Sequence, residues 1–254
     1  MSGPDRAGRH GGAAAEGAGG DEAGASLGLS VVIVSWNTRE LLRSCLASLR
    51  AEAQGLALDV WVVDNASEDG SPEMVEEEFP EVRLLRSGEN VGFAAANNRA
   101  LRRIDAPFVL LLNPDTEVRE GALKRALEAA RSRGTTVAAR LLNPDGSLQH
   151  SCFRFPRLGV DLVEALYLHL LLPRRVRGPL LLGGHWAHDE AREVDWALGA
   201  FLLVPGTAVE DAGLLPEEYP LFGEDIEWCW RLGRMGYPVR FCPDAEVVHH
   251  GNQA

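Results

Sequence analysis

The chain has 254 residues, 46% of them hydrophobic, and a formal net charge of −12. This length and apolar content fit one domain of ordinary size with a sizeable core. The negative charge argues against a nucleic-acid partner, because phosphate backbones are bound by basic surfaces.

The N-terminal segment differs in composition from the rest of the chain. Residues 1–28 are rich in Gly and Ala with scattered charges, which predicts a disordered tail because little apolar surface is available to offset chain entropy. We see no apolar stretch typical of a signal peptide and no run long enough to span a bilayer. These features predict a cytoplasmic protein.

The predicted elements of residues 29–141 alternate between strand and helix. Residues 29–36 form a nearly continuous apolar run rich in β-branched residues, typical of a strand buried on both faces. Residues 41–49 then place their apolar side chains on one face of a helix. Further strands are predicted at 58–63, 82–85, 108–112 and 136–141, and further helices at 73–79, 93–104 and 121–133. This alternation predicts an α/β fold with a mostly parallel central sheet and helices on both faces.

The second half of the chain, residues 142–254, is less regular. The Asn-Pro-Asp-Gly sequence at 143–146 indicates a turn, and we expect a hairpin there. The remaining predictions are an apolar helix at 158–172, a strand at 197–204, a helix at 224–235 and short strands at 239–242 and 245–248. The cysteines show no paired spacing, which predicts free buried thiols rather than a zinc site or a disulfide framework; they are Cys45, Cys152, Cys229 and Cys242.

Polar residues follow three of the predicted strands. They are Ser35 to Asn37, Asp64 with Asn65, and Asn113 to Asp115. Because ligands of such sheets bind beyond the carboxyl ends of the strands, this edge is the predicted site. A carboxylate at Asp115 suits Mg²⁺ or Mn²⁺, which prefer oxygen ligands. Capping or closing a turn is an equally open role for Asp64 and Asp115.

Three further segments carry residues that could take part in binding or catalysis. Gly92, at the start of a predicted helix, allows close backbone approach to an anion, although a simple helix cap explains this segment equally well. Glu224 and Asp225 open a helix after an apolar segment and could supply a general base, or could merely favour the helix dipole. His249 and His250 point to opposite faces of a strand, so at most one of them faces a metal site, and a structural role is also open.

In their order along residues 29–254, these pieces resemble the family 2 glycosyltransferases with the GT-A fold, and most closely the bacterial rhamnosyltransferase-like branch. The matching segments are Val31–Asn37, Val62–Ser67, Asn90–Ala94 with Asn97 and Asn98, Leu112–Thr116, Gly199–Phe201, Phe222–Glu227 with Trp230 and Arg231, and Val248–Gly251.

The resemblance implies a role for each matching residue. It implies that Asp225 is the catalytic base and Glu224 its supporting neighbour, and that Asp115 and His249 hold a divalent metal, Mg²⁺ or Mn²⁺. Asn113 stands where the family's D-x-D element has its first Asp, so Asp115 is the one carboxylate of that element. The residues implied to bind the nucleotide-sugar donor are Ser35, Asn37, Asp64, Asn65, Gly92, Phe93, Asn97 and Asn113.

The resemblance also implies the reaction and the division of the chain. It implies an inverting, metal-dependent transfer of a sugar, with L-rhamnose from dTDP-L-rhamnose as the donor suggested by the branch, to a glycan or lipid-linked acceptor of cell-surface polysaccharide synthesis. Residues 29–141 would bind the nucleotide, and residues 142–254 would supply the base and receive the acceptor.

Two other classes of function remain as alternatives at this point. A sugar nucleotidyltransferase would carry a Gly-rich basic loop after the first strand, where this chain has Ser35-Trp-Asn37. A non-catalytic nucleotide-sugar-binding module would not need both Asp115 and Asp225.

Residues 158–177 combine an apolar stretch with a basic end. An apolar helix followed by Arg174, Arg175 and Arg177 suits peripheral contact with the inner face of a membrane. An ordinary core or acceptor-side helix fits the same pattern.

Overall fold

The computed structural model describes residues 28–53, 55–155, 188–219 and 223–251, together with 159, 162, 166–171, 173 and 186. The predicted N-terminal tail lies outside these residues except for Gly28, which begins the first strand. Most of the predicted helix at 158–172 and all of the basic residues 174–177 also lie outside them. In the part of that helix that is described, Leu168–Leu171 is one 3-10 turn.

The described residues contain twelve strands and six α-helices. The strands are β1 Gly28–Ser35, β2 Ala57–Asp64, β3 Arg83–Arg86, β4 Phe108–Leu112, β5 Thr116–Val118, β6 Thr136–Leu142, β7 Leu148–Gln149, β8 Cys152–Phe153, β9 Arg192–Val194, β10 Trp196–Ala197, β11 Phe201–Pro205 and β12 Val239–His249. The helices are α1 Arg39–Glu52, α2 Ser71–Glu78, α3 Phe93–Leu101, α4 Ala122–Arg133, α5 Gly206–Ala212 and α6 Glu224–Arg234.

Ten of these strands form one mixed sheet in the order β3-β2-β1-β4-β11-β6-β12-β5, with β7 on β6 and β9 on β12. The parallel pairing predicted for the first half is confirmed for β3, β2, β1 and β4. In the second half β11 runs antiparallel to both β4 and β6, while β12 runs parallel to β6. The predicted α/β class is therefore confirmed, with antiparallel strands contributed by residues after 115.

Each face of the sheet is covered by its own apolar layer. Along β1 the side chains alternate, so that Val31 and Ile33 pack into one layer and Val32 and Val34 into the other. Helices α1, α2 and α4 cover the first layer, and α3, α5 and α6 cover the second. This two-sided burial explains why β1 has no polar face in the sequence.

The second half holds the largest differences from the predicted elements. The apolar run predicted as one strand at 197–204 is divided between β10 and β11. The two short strands predicted near the end of the chain form the single strand β12, whose pairing with β6 shifts register between Cys242 and Glu246. Pro243 lies in this irregularity, as expected for a residue without a backbone N–H donor.

The cysteines and the lengths of the helices bear on two further predictions. All four cysteines are free and buried, as predicted. Among the residues that the coordinates describe, no helix has the length and apolar character needed to cross a bilayer.

Candidate active site

Asp64 and Ser35 end two neighbouring parallel strands and face each other in register. The Ser67 N–H donates to Oδ2 of Asp64 at 3.2 Å, so one carboxylate oxygen does close the following turn. The other oxygen, Oδ1, is buried without a hydrogen-bond partner. An unsatisfied buried acceptor is costly, which makes Oδ1 a position where an N–H or hydroxyl of a ligand would be stabilised.

Ser35 is held by Thr38, the residue that precedes α1. Its hydroxyl lies 2.9 Å from the hydroxyl of Thr38, just before α1. Asn37 has a positive φ of 53° and is exposed. Its Oδ1 accepts the Glu68 N–H at 2.8 Å, and its own N–H donates to Ser67 Oγ at 2.9 Å. These bonds join the loops after β1 and β2 into one rim.

Asn65 connects this rim to the start of α3. Its Nδ2 donates to Oδ1 of Asn90 at 2.7 Å, and its Oδ1 accepts the Val91 N–H at 3.0 Å. Gly92 precedes α3 with φ 82° and ψ 169°, a combination open essentially only to glycine. The buried Asn65 amide thus places the N-terminus of α3 beside the ends of β1 and β2.

The two α3 residues predicted to bind the donor differ in their contacts. Phe93 is half-buried, and its ring lies against Gly199, whose α-carbon would carry a Cβ 3.4 Å from Phe93 Cζ. Asn97 is buried, and its amide donates to the Phe93 carbonyl of its own helix at 3.0 Å. Phe93 therefore lies between the nucleotide side and the second half, whereas the described contact of Asn97 is internal to α3.

Asp115 and His249 lie side by side, although 133 intervening residues separate them in the chain. The antiparallel pairing of β12 with β5 places His249 opposite Thr116, and the His250 N–H donates to the Asp115 carbonyl at 2.9 Å. Nε2 of His249 lies 3.3 Å from Oδ1 of Asp115 and 3.4 Å from Nδ2 of Asn113. The predicted metal pair is therefore brought together by the sheet.

The chemistry of this pair fits a divalent cation. Asp115 is only 2% exposed, and its Oδ1 accepts no hydrogen bond. A carboxylate oxygen and an imidazole nitrogen directed at one point are donors that Mn²⁺ or Mg²⁺ accepts. Among the described residues no group of three or more His, Cys, Asp or Glu side chains forms a complete metal cage. A cation held here would take further ligands from substrate phosphates and water.

Asp225 and Glu224 begin α6, after Gly223 in the left-handed region. Asp225 is half-buried, and burial raises the pKa of its carboxyl from 3.8 to about 6, with the neighbouring Glu224 charge as the second cause. The Ile226 N–H donates to its Oδ1 at 2.8 Å. Glu224 is 9% exposed, and its Oε2 is buried without a partner. A carboxylate with this raised pKa is matched to accepting a proton near neutral pH.

Two consecutive residues before β11 join the Asp225 and Asn113 segments. The backbone N–H of Gly199 donates to the Asp225 carboxylate and holds the pKa down slightly. The carbonyl of the next residue, Ala200, accepts the Asn113 N–H at 3.1 Å. The predicted base and the predicted metal-binding turn are thus anchored to consecutive residues.

Two sets of contacts in this region were not predicted from the sequence. Gln149 touches His249 from the β6–β7 hairpin. Asn98 is buried and bonds to both backbone groups of Leu215 and to Glu217. Each contact joins segments about 100 residues apart, so local sequence patterns contain no sign of it.

Comparison with known proteins agrees with this arrangement. Residues 30–149 match the sequence model of "Glycosyl transferase family 2". The N-acetylglucosaminyl-diphospho-decaprenol L-rhamnosyltransferase of Mycobacterium tuberculosis is 31% identical over 237 residues, which cover 87% of this chain and 76% of that relative. The low-salt glycan biosynthesis hexosyltransferase Agl10 of Haloferax volcanii is 22% identical over 227 residues, covering 87% and 67%.

Solved structures with the same fold are more distant in sequence. The mannosyltransferase PcManGT from Pyrobaculum calidifontis, in complex with GDP-Man and Mn²⁺, superposes with a TM-score of 0.61 at 20% identity. GalNAc-T7 with UDP, GalNAc and Mn²⁺ gives a TM-score of 0.65 at 15% identity. Both matches cover 89% of this chain, but only 57% and 44% of the respective solved chains.

The sheet order, the acidic strand ends and these matches together define a GT-A glycosyltransferase. The chain belongs to glycosyl transferase family 2 and is similar to its rhamnosyltransferases. The resemblance found in the sequence and the prediction of an enzyme are thereby confirmed.

Proposed function

We propose that this protein is an inverting, metal-dependent glycosyltransferase in which Asp225 is the general base and Asp115 with His249 holds the cation. The single observation that carries the proposal is the pair of carboxylates on either side of Gly199 and Ala200. Asp225 has a raised pKa, and Asp115 keeps a buried oxygen without a partner. An activated carboxylate beside a cation site is what transfer from a diphospho-sugar requires.

The nucleotide end of the donor is assigned to the rim formed by the ends of β1 and β2. Asp64 offers the buried Oδ1 to an N–H of the base or to a ribose hydroxyl, while its Oδ2 remains on the Ser67 N–H. Ser35, Asn37 and Asn65 shape this rim. The first turn of α3, which begins at Phe93, is assigned to the diphosphate side, where the backbone N–H groups of a helix start favour an anion.

Asp115 and His249 are the residues that would hold Mg²⁺ or Mn²⁺, and Asn113 lies beside them. A cation bound there would neutralise the charge that develops on the leaving diphosphate. Substrate phosphate oxygens are common ligands of such cations, which agrees with a protein contribution of two side chains.

In the transfer itself an acceptor hydroxyl attacks the anomeric carbon opposite the diphosphate. The new C–O bond forms as the bond from the anomeric carbon to the diphosphate oxygen breaks, and the leaving nucleoside diphosphate takes that electron pair. The Asp225 carboxylate accepts the hydroxyl proton, and the Gly199 N–H keeps the carboxylate in place. One displacement of this kind inverts the anomeric configuration. Glu224 raises the basicity of Asp225 by its negative charge.

The proposed donor is dTDP-L-rhamnose, and the proposed acceptor is a glycan or a lipid-linked sugar of cell-surface polysaccharide synthesis. The support is the 31% identity to a relative whose name describes rhamnosyl transfer to N-acetylglucosaminyl-diphospho-decaprenol. A thermal-shift screen of nucleoside diphosphate sugars with Mn²⁺ tests the donor, because a specific ligand raises the melting temperature by mass action. A larger shift with UDP- or GDP-sugars than with dTDP-rhamnose would overturn this choice.

The proposed location is the cytoplasm, with peripheral contact to the membrane through residues 158–177. Support comes from large apolar side chains exposed just before the basic stretch Arg174–Arg177; they are Leu162, Leu166, Tyr167, Leu168, Leu170 and Leu171. Such a combination suits the interface of an anionic bilayer. Co-sedimentation with anionic but not zwitterionic vesicles is expected, and no binding to either would overturn the membrane contact.

The roles of Asp225 and Asp115 are tested by separate assays. Asp225→Asn should lower the transfer rate about 10²- to 10⁴-fold while leaving Mn²⁺ and nucleotide binding intact. EDTA should abolish transfer by the wild-type protein, and Mn²⁺ should restore it. Near-wild-type transfer by Asp225→Asn would rule out Asp225 as the general base. Full activity in EDTA would rule out a required cation.

A further inference from the structure

Gln149 lies beside His249, the imidazole of the predicted metal pair. It belongs to β7, the short strand of a hairpin that returns along β6 and pairs Gln149 with Leu141. Its side chain crosses to the end of β12, where Oε1 lies 2.6 Å from Nδ1 of His249. This is a short hydrogen bond between two half-buried groups.

The hairpin itself fixes which way the Gln149 amide faces. Nε2 of Gln149 donates to Oδ1 of Asn143 at 3.3 Å. Asn143 is held in turn by Ser147, whose hydroxyl accepts from Nδ2 at 2.9 Å and whose carbonyl accepts the Asn143 N–H at 2.8 Å. On the other side Gly251, at φ 57°, packs so closely that a Cβ there would lie 3.2 Å from Nε2 of Gln149. Nε2 is therefore the donor, and Oε1 is the atom that faces His249.

This orientation determines the tautomer of the imidazole. Because Oε1 is an acceptor, Nδ1 of His249 must carry the proton, and the neutral ring then has its lone pair on Nε2. The opposite tautomer would place two acceptors 2.6 Å apart. Nε2 faces Oδ1 of Asp115 at 3.3 Å, and the Asn113 amide can donate to it at 3.4 Å. The Asn113 amide agrees with an unprotonated Nε2. Nε2 and Oδ1 of Asp115 then face each other as two acceptors, which is the arrangement of two ligands of one cation.

We propose that Gln149 is a positioning residue that fixes the tautomer and ring orientation of His249, so that Nε2 and the Asp115 carboxylate face one divalent cation. The inference rests on the metal role in the proposed function and extends it to a residue from a different part of the chain. Histidines that bind metals generally donate their other ring N–H to an oxygen acceptor, and loss of that acceptor weakens metal binding. The turn at 143–147 is then part of the metal site, because it holds the acceptor in place.

Binding of Mn²⁺, measured by electron paramagnetic resonance of the free ion in the presence of a nucleoside diphosphate, tests the inference without any transfer reaction. Gln149→Leu removes the acceptor and should weaken Mn²⁺ binding about 10- to 100-fold. Gln149→Glu keeps an oxygen acceptor for Nδ1 and should bind Mn²⁺ nearly as well as the wild type. His250→Gln is the matched control, since that neighbouring imidazole bonds to Glu117 on the other side of the strand and should leave the affinity unchanged.

A second measurement reads the tautomer directly in the metal-free protein. Long-range ¹H–¹⁵N correlation spectra should show His249 protonated at Nδ1 in the wild type, and a gain of the Nε2-protonated form in Gln149→Leu. An Nε2-protonated wild type, or unchanged Mn²⁺ affinity in Gln149→Leu, would overturn the role of Gln149 alone. A wild-type protein that binds no Mn²⁺ with any nucleoside diphosphate would overturn the metal role in the proposed function together with this inference.

Discussion

Replacing Asp225 by Asn should lower the transfer rate and at the same time stabilise the folded protein. The wild-type carboxyl has its pKa raised from 3.8 to about 6 by burial and by the Glu224 charge. In the folded state the charged form is therefore disfavoured relative to the unfolded chain. At about 1.36 kcal/mol per pKa unit this amounts to about 3 kcal/mol, which we reduce to about 2 kcal/mol because the side chain is only half-buried and solvent screens it.

The sign of this effect sets its dependence on pH. Below about pH 4 the carboxyl is protonated in both the folded and the unfolded state, so its raised pKa does not lower the free energy of unfolding. Between about pH 4 and 6 the unfolded chain loses its proton while the folded protein keeps it, so the wild-type free energy of unfolding falls as pH rises. Above about pH 6 the cost is constant. Urea denaturation should therefore show Asp225→Asn more stable than the wild type at pH 8, with the difference vanishing near pH 4.

The catalytic part of the same prediction uses the transfer rate. The deprotonated carboxylate is the base, so kcat/KM of the wild type should rise with pH through about 6. Loss of a general base typically lowers the rate about 10²- to 10⁴-fold, and Asp225→Asn should lose this amount. Near-wild-type transfer by the variant, or lower stability than the wild type at pH 8, would refute the reasoning.

A matched control, Asp145→Asn, should change the free energy of unfolding in the opposite direction. The Ser147 hydroxyl and N–H donate to Asp145, and these hydrogen bonds lower the pKa of its carboxyl. The lowered pKa stabilises the folded state above the unfolded value, and this contribution is lost as pH falls. Asp145→Asn should therefore lose stability at pH 8, where Asp225→Asn gains it.

Three further substitutions test the other parts of the site. Asp115→Asn removes the buried carboxylate of the metal pair, and calorimetric titration should show Mn²⁺ affinity lowered by more than the roughly 100-fold upper limit expected for loss of a hydrogen-bond partner of a metal ligand; unchanged affinity would contradict the assignment. Gly92→Ala forces an L-residue into a glycine-only conformation and should lower the free energy of unfolding by about 1–3 kcal/mol, whereas Gly88→Ala, which meets open space without a positive φ, should change it little. Asn98→Ala leaves the buried backbone groups of Leu215 without partners and should cost about 2–3 kcal/mol in urea denaturation; a change under about 0.5 kcal/mol would show that water replaces the amide.

The first half of the fold could be predicted because its information is local. The apolar run at 29–36 and the apolar strand at 108–112 identify buried parallel strands, and the polar residues after them mark the ligand edge. Asp64 and Asp115 were accordingly placed at the correct edge of the sheet. The sequence could not decide between turn and ligand roles for Asp64. In the structure Oδ2 closes the turn, and Oδ1 is buried without a hydrogen-bond partner.

The second half could not be predicted as fully, because its strands depend on distant partners. β11 is a short apolar run whose antiparallel direction follows from pairing with β4 and β6. The β5 strand has three residues and forms only against β12. The contact of Gln149 with His249 depends on a turn and a strand end about 100 residues apart. Side-chain periodicity records which face is buried but not which strand lies alongside.

The Gly199–Ala200 segment links the proposed base to the turn before Asp115. One residue holds the proposed base through its N–H, and the next holds the turn before Asp115 through its carbonyl. The two anchors belong to consecutive residues, whose α-carbons are about 3.8 Å apart across a trans peptide, so only a short stretch of backbone separates them. A change in either residue, or in the backbone conformation between them, would therefore move the proposed base and the predicted metal-binding turn relative to each other.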